Sequence, residues 1–300
     1  MINAEEVLGR PKVDLDPVVA ASESTALHAF SKVVAFFAFC LLIAGGLVTS
    51  TGSSLSVPDW PLSFGKVLPP MLGGVAFEHG HRLIAGLVAS LTWSLTVWLW
   101  AREPRAWVRR LGYAASGAIL LQALLGGATV LLRLPPAVSI SHACLAQAVF
   151  CLLVAVAQAT SPWFQEKAVT GAGTVWKAGA VALGALYVQL IWGALLRHTG
   201  QGLALHLGWA TAVTAAVLVA STRGINARRN AFGLANPSTL LSLLLPVQLA
   251  FGYVAYRVRF SPDFVAGFSR GALLTTVHLA IGASLLATTV VFTMRAHRAR

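Results

Sequence analysis

The sequence predicts an all-α membrane protein with eight transmembrane helices, arranged as two pseudosymmetric four-helix bundles. Three observations predict it. Apolar residues make up 57% of the chain and mean hydropathy is +0.74. Charged residues account for only 11% of the 300 positions, against about 25% in soluble domains. The apolar residues fall into blocks of membrane-spanning length, with most basic residues between them. The net charge of +12 is therefore read as orienting the chain in a lipid bilayer. A nucleic-acid surface would gather basic and aromatic residues on one face, so no nucleic-acid partner is expected.

Taken in order, residues 1–26 are polar, carry Glu5, Glu6, Arg10, Lys12, Asp14 and Asp16, and read as a cytoplasmic N-terminal segment. No small-residue cleavage pattern ends the apolar block that follows, so that block reads as a retained helix. The spans are expected at about 27–50, 76–100, 111–132, 138–160, 176–196, 201–221, 237–257 and 271–294. Pro246 is expected to kink the seventh, with a break into two short elements as the alternative. The first bundle would occupy 27–160 and the second 176–294, joined by a cytoplasmic linker, 161–175, and followed by a cytoplasmic tail, 295–300. If the termini and the 101–110, 161–177 and 222–230 connections share one side, that side holds fifteen of the 22 Lys and Arg residues. The positive-inside rule then makes both termini cytoplasmic and turns the 51–75 connection outward. Cys40, Cys144 and Cys151 lie in apolar segments without a CxxC pair and read as small buried hydrophobes.

A repeat runs through the spans. Gln122 and Gly126, Gln189 and Gly193, and Gln248 and Gly252 share a Gln-x3-Gly spacing in alternate spans. Each is followed by a basic residue (Arg133, Arg197, and Arg257 with Arg259), then by a histidine near the outer end of the next span (His142, His206, His278). The first hairpin has Gly45-Gly46 without the glutamine, and His81. The repeating unit is a helical hairpin used four times, which is the basis for two bundles of two hairpins each.

His28, His198 and His297 fall at span ends or in a short loop, where solvation is expected to cost nothing. His81, His142, His206 and His278 share one depth. An ionisable side chain inside a span is a functional candidate by default, against the alternative of a histidine hydrogen-bonded across helices. Two imidazoles facing each other across a four-helix bundle are a natural axial pair for a haem iron, and arginines outside that layer would meet the propionates. Zinc is less suited, because no thiolate or carboxylate cluster supplies further ligands. Glu78 is the one carboxylate close to the layer, three residues before His81 on the same helix face, while His79 points elsewhere. It can orient His81 or move protons near a substrate; the plainer alternative is an interfacial partner for Arg82. Trp60 and Phe64, among Pro58, Pro61, Pro69 and Pro70, read as a stiff lid or as simple interfacial anchors.

These residues resemble the haem A synthase family. The similarity rests on Gly46-Leu47-Val48-Thr49; on Pro58-Asp59-Trp60-Pro61-Leu62 with Gly65, Pro69 and Pro70; and on Glu78, His81 and Arg82. It continues through Gln122, Gly126, Gly127, Thr129 and His142, then Arg197-His198-Thr199-Gly200, His206 and His278. It covers about residues 30 to 294. The resemblance implies a resident haem b between His206 and His278 in the second bundle, with Arg197 as a cofactor-binding cation. It implies haem O as substrate between His81 and His142, beside Glu78, with His81, His142 and Glu78 as the catalytic set; Arg257, which is not among the matching motifs, is a cofactor-binding candidate from its place outside the histidine layer alone. The implied activity is oxidation of the C8 methyl of haem O to a formyl group, giving haem A for cytochrome c oxidase. A water-derived oxygen enters, and electrons pass through haem b to a membrane or periplasmic acceptor. Haem O synthase is the expected upstream partner, and the cell inner (plasma) membrane the expected location. The sequence departs from some members in having Val57 and Ser63 where they place cysteines, so no thiol pair operates in this loop. A bis-histidine dihaem cytochrome that only carries electrons has the same ligand pattern and remains the alternative.

Overall fold

A computed structural model describes residues 17–165, 171–227, 233–261 and 268–300, all helical apart from turns and one long connection. The helices are α1 (Pro17–Ser50), α2 (Gly74–Arg102), α3 (Ala106–Leu131), α4 (Pro136–Ala159), α5 (Pro162–Gln165), α6 (Val175–Thr199), α7 (Leu203–Ala227), α8 (Ala235–Phe260) and α9 (Phe268–Arg298). Eight of them, all but the one-turn α5, are long and apolar enough to cross a membrane. Each expected span is present.

The helices outrun the apolar blocks. α1 begins at Pro17, inside the segment expected to be polar and separate, and α9 continues to Arg298. The connection expected at 101–110 shrinks to Glu103–Arg105, so Arg109 and Arg110 lie within α3 and Arg223 lies within α7. Hydropathy marks the part of a helix that sits in hydrocarbon; the backbone ladder continues into the interface because Ala, Arg and Ser hold helix there at little cost. Lys167, Arg228 and Arg229 lie outside the described residues, as do Glu5, Glu6, Arg10, Lys12, Asp14 and Asp16. α8 is one continuous helix through Pro246. The alternative of a break into two elements is not seen: α7 and α9 pack along α8, with Leu241 and Leu245 buried just before the proline, and neighbours of this kind tolerate one missing backbone donor.

α1 contacts α2 and α4, and α3 contacts the same two helices; α6 contacts α7 and α9, and α8 contacts the same two. The two sets meet where α9 packs on α1 and α4, and α4 packs on α6. Each set has its own core. Val88, Leu95, Leu99, Ile119 and Leu153 centre the first, joined by Ala283 and Ala287 from α9. Leu186, Val217, Leu241, Leu285 and Phe292 centre the second. Outer faces carry exposed Leu83, Leu87, Trp93, Val97, Leu218 and Leu243, which suits contact with lipid tails. In a bilayer apolar exposure on this scale carries no penalty.

His28 and His297 are not simply solvated. His28 Nδ1 lies 3.0 Å from the Ala157 carbonyl of α4. The His297 ring packs edge-on to Trp176, centroids 5.4 Å apart.

Candidate functional site

The repeat in the sequence becomes a repeated contact. In each hairpin the histidine of the second helix lies against a glycine of the first. A Cβ built on Gly45 would stand 3.1 Å from His81 Cε1, and the same atom on Gly126 would stand 3.1 Å from His142 Cε1. Gly193 stands in that relation to His206 at 3.2 Å, and Gly252 to His278 at 3.1 Å. Any side chain would press the imidazole aside, so glycine at these four points fixes where the rings can lie. The glutamines act on the same histidines. Gln122 Nε2 donates to the His142 carbonyl at 3.0 Å, Gln189 Nε2 donates to the His206 carbonyl at 2.9 Å, and Gln248 Nε2 lies 3.4 Å from His278 Nε2. Leu41 holds the equivalent position in α1, so the His81 cradle lacks this amide.

The His206 and His278 rings face each other with centroids 6.5 Å apart and planes at 78°. An iron held between two imidazoles needs about 6 Å, from two metal–nitrogen bonds of about 2 Å and the half-width of each ring. Nδ1 of His81, His142 and His278, and Oε1 of Gln122, Gln189 and Gln248, are buried without a hydrogen-bond partner. Such groups are costly unless something completes them. Among the described residues no three His, Cys, Asp or Glu side chains converge on a bare metal ion. Donors in pairs suit a group that brings its own equatorial ligands, so these residues fit a haem.

The 51–75 connection is docked onto the first of these sites. Arg82, one residue after His81, is the hub. Its Nη1 donates to the Asp59 and Leu62 carbonyls, both at 2.7 Å, and its Nη2 pairs with Glu78 Oε1 at 2.6 Å. Glu78 Oε2 accepts the Val57 N–H at 2.9 Å. The carboxylate is therefore shared between Arg82 and the connection, and neither of these bonds goes to His81. The Glu78–Arg82 pair is also not a screened surface pair, since the side chains are 5% and 14% exposed. His79 turns toward the connection, its Nδ1 2.7 Å from Ser63 Oγ. Val57 and Ser63, the two positions at which some family members carry cysteines, are both fully buried anchors. Trp60 lies flat on Gly127 of α3, where a Cβ would stand 2.7 Å from the indole. Gly127 adjoins Gly126, so the connection touches the neighbours of both histidines. At its tip, Asp59 accepts the Phe64 and Gly65 N–H groups at 2.7 and 2.8 Å. Both residues have positive φ, which glycine adopts freely and phenylalanine does not. Those N–H groups, Gly65 first, hold the Asp59 carboxyl below the usual carboxylate range. Their hold on the tip is complete above that range and fades as pH falls through the lowered value.

Arg197 and Arg257 are placed differently. Arg197 reaches from α6 to α1, where its Nη2 donates to the Gly46 carbonyl at 2.7 Å and Ser50 Oγ at 2.6 Å. Arg257 lies at the end of α8, bonded to Ser261 Oγ at 2.9 Å and the Tyr253 hydroxyl at 3.0 Å. Sequence reasoning passed over His79, Gly127, Val57 and Ser63 as anchors. The clue present was the spacing of Ser63 and His79 on either side of a proline-rich turn, which is too weak to assign a contact.

The fold and site define a class: an eight-span helical membrane protein carrying four glycine-cradled histidines, with one long connection folded onto one end. Comparison with known proteins narrows the class. Residues 75–208 match the COX15-CtaA family model, described as a cytochrome oxidase assembly protein. The matched stretch includes Glu78, His81, His142, Arg197 and His206. Heme A synthase of Lysinibacillus sphaericus is 33% identical over 174 residues, 54% of this chain and 55% of the relative. Heme A synthase of Alkalihalophilus pseudofirmus is 33% identical over 124 residues, 39% of this chain and 40% of the relative. That of Ruegeria pomeroyi is 31% identical over 160 residues, 49% of this chain and 41% of the relative. The chain thus spans about half the length of the curated relatives it matches. Over residues 75–208 the chain is similar to the COX15-CtaA family, and over about half its length to curated heme A synthases.

Proposed function

We propose that the protein is a haem A synthase, oxidising the C8 methyl of haem O to the formyl group of haem A for cytochrome c oxidase. In this reading α1–α4 and α6–α9 are two pseudosymmetric four-helix bundles. The first receives haem O between His81 and His142; the second keeps haem b between His206 and His278. Haem b, when bound, supplies a redox iron that takes up electrons singly. The oxygen comes from one water; methyl plus water gives formyl with protons released from both and as many electrons in total, the electrons passing to a membrane or periplasmic acceptor. The chain's own part is positional. The Gly45 and Gly126 cradles set the imidazoles, the docked connection closes the outer mouth, and Glu78 offers a carboxylate for departing protons. Arg197, whose contacts on α1 are both neutral, is better placed than Arg257 to meet a propionate. Haem O synthase is the upstream source of substrate.

The observation that carries this reading is the asymmetry of the two histidine pairs. The four cradles are alike, which by itself suits a dihaem electron carrier. The connection hooked to Arg82, Glu78 and Gly127 covers the first pair, whereas α6 and α7 are joined by a turn of only Gly200–Gly202. A site that must exclude bulk water and a site that only exchanges electrons are expected to differ in this way. The test is the visible spectrum and extracted haems of protein purified from cells with and without haem O supply. The synthase gives protohaem plus O- or A-type haem when haem O is supplied; protohaem alone in both cultures supports the carrier and rejects the synthase.

Orientation belongs to the same proposal, with the protein in the inner (plasma) membrane and both termini cytoplasmic. A cysteine placed at residue 65 should react with a membrane-impermeant maleimide added outside. Protection there, with labelling only after the membrane is opened, would invert the topology.

A further inference from the structure

We propose that the cleft between α1, α4 and α9, at the end of the molecule opposite the four histidines, binds the phosphate of an anionic membrane lipid. The cleft is a cavity of about 380 Å³. Its polar lining is Lys32 and His28 from α1, Gln158 and Ser161 at the end of α4, and Arg295 from α9; the rest is alanine and valine. Among the described residues, two permanent cations face it and no carboxylate lines it. The carboxylates whose side chains are described lie elsewhere: Asp59 and Glu78 sit at the opposite end, and Glu103 is bound to Arg105 at 2.7 Å.

The cations are prepared for an oxyanion. Arg295 is fixed in advance: its Nε donates to Gln158 Oε1 at 3.2 Å, its Nη1 donates to the Gly233 carbonyl at 2.9 Å, and its guanidinium stacks over Trp163 at 4.9 Å. Gln158 is itself held through Nε2, which donates to Ser161 Oγ at 3.3 Å. An immobilised guanidinium loses little freedom on binding. Lys32 is exposed, a mobile ammonium able to close over a bound phosphate. Position selects the source. Gln158 and Ser161 straddle the point where α4 ends, which is the headgroup level of a bilayer, and the alanine–valine floor gives the glycerol and upper acyl chain an apolar seat. Basic pockets between helices at this level favour anionic headgroups. A soluble phosphate has no use for the floor.

The test uses the full chain, stripped of lipid in neutral detergent and returned to nanodiscs of mixed phosphatidylcholine and phosphatidylglycerol. Lipid retained on the protein is read by native mass spectrometry. Wild type is expected to retain phosphatidylglycerol over phosphatidylcholine by roughly tenfold or more, and Lys32→Gln to lower that preference about fivefold. Arg110→Gln removes the same charge from an exposed residue at the same end but outside the cleft, and is expected to leave the preference unchanged. Lys32 makes no bond that folding depends on, whereas Arg295 does, so Lys32 carries the test. An unchanged preference in Lys32→Gln would overturn the proposal, and so would an equal loss in Arg110→Gln, which would indicate diffuse charge. Displacement of the lipid by millimolar inorganic phosphate would reassign the cleft to a soluble oxyanion. None of these readings depends on haem content.

Discussion

His278→Ala, and equally His206→Ala, should strip the six-coordinate b-type haem from the purified protein while leaving it inserted and soluble in detergent. The two rings stand 6.5 Å apart, the separation one shared iron requires, and no other His, Cys, Asp or Glu cluster among the described residues can replace a lost ligand. Insertion is governed by eight apolar helices, beside which one imidazole is a small term. A companion change leaves both imidazoles present. Gly252→Leu puts a side chain where even a Cβ would stand 3.1 Å from His278 Cε1, and should lose most of the same spectrum. Full six-coordinate b-type haem in both alanine variants would refute the pairing.

Glu78→Gln should keep the b-type haem and the capacity to retain haem O, yet produce haem A ~10²–10⁴-fold more slowly, the usual range for loss of a general acid–base group. The expected survival of the docked connection follows from how Arg82 is held. Removing the carboxylate from a buried pair commonly costs about 3–5 kcal/mol because the remaining charge is stranded. Arg82 is not stranded, since the Asp59 and Leu62 carbonyls still accept from it, and a glutamine oxygen can still receive the Val57 N–H. Trp60 fluorescence should therefore stay at its wild-type maximum. Haem extraction by chromatography, with that emission spectrum, separates the outcomes. If haem O retention and the Trp60 signal fall together with turnover, Glu78 holds the lid and is a positioning residue. If haem A is made at nearly the wild-type rate, Glu78 is only the ionic partner of Arg82.

Much of this could be read from the sequence because periodic signals survive in it. Eight apolar blocks gave eight helices, and the recurrence of Gln, Gly and His at fixed spacing foretold contacts within each hairpin, where chain connectivity already limits the partners. Helix ends were less legible, since a polar residue in the interface is no obstacle to helix, as α1 from Pro17 and α9 to Arg298 illustrate. Contacts across the molecule left no periodic trace. Arg197 meets α1 at Gly46 and Ser50, and Trp60 meets Gly127; a lone arginine or tryptophan carries no label for its partner. His79 points away from the Glu78–His81 face as expected, but its partner there was not legible. A second segment folds over the start of α2 and meets that face too.

The reach of Arg197 into α1 also bears on how the protein is made. α1 to α4 leave the ribosome first, and their seam holds Gly46, whose Cβ position lies 3.0 Å from Thr276 of α9, and Ser50, which bonds to Thr275 and Thr276. Until α6 and α9 arrive, that seam faces lipid with a carbonyl and a hydroxyl lacking their final partners. Newborn α6 meanwhile carries a guanidinium that belongs in the same place. Each half is thus an unfinished surface for the other. Closure of the seam therefore has to wait for α9, the later of its two partners to be synthesised.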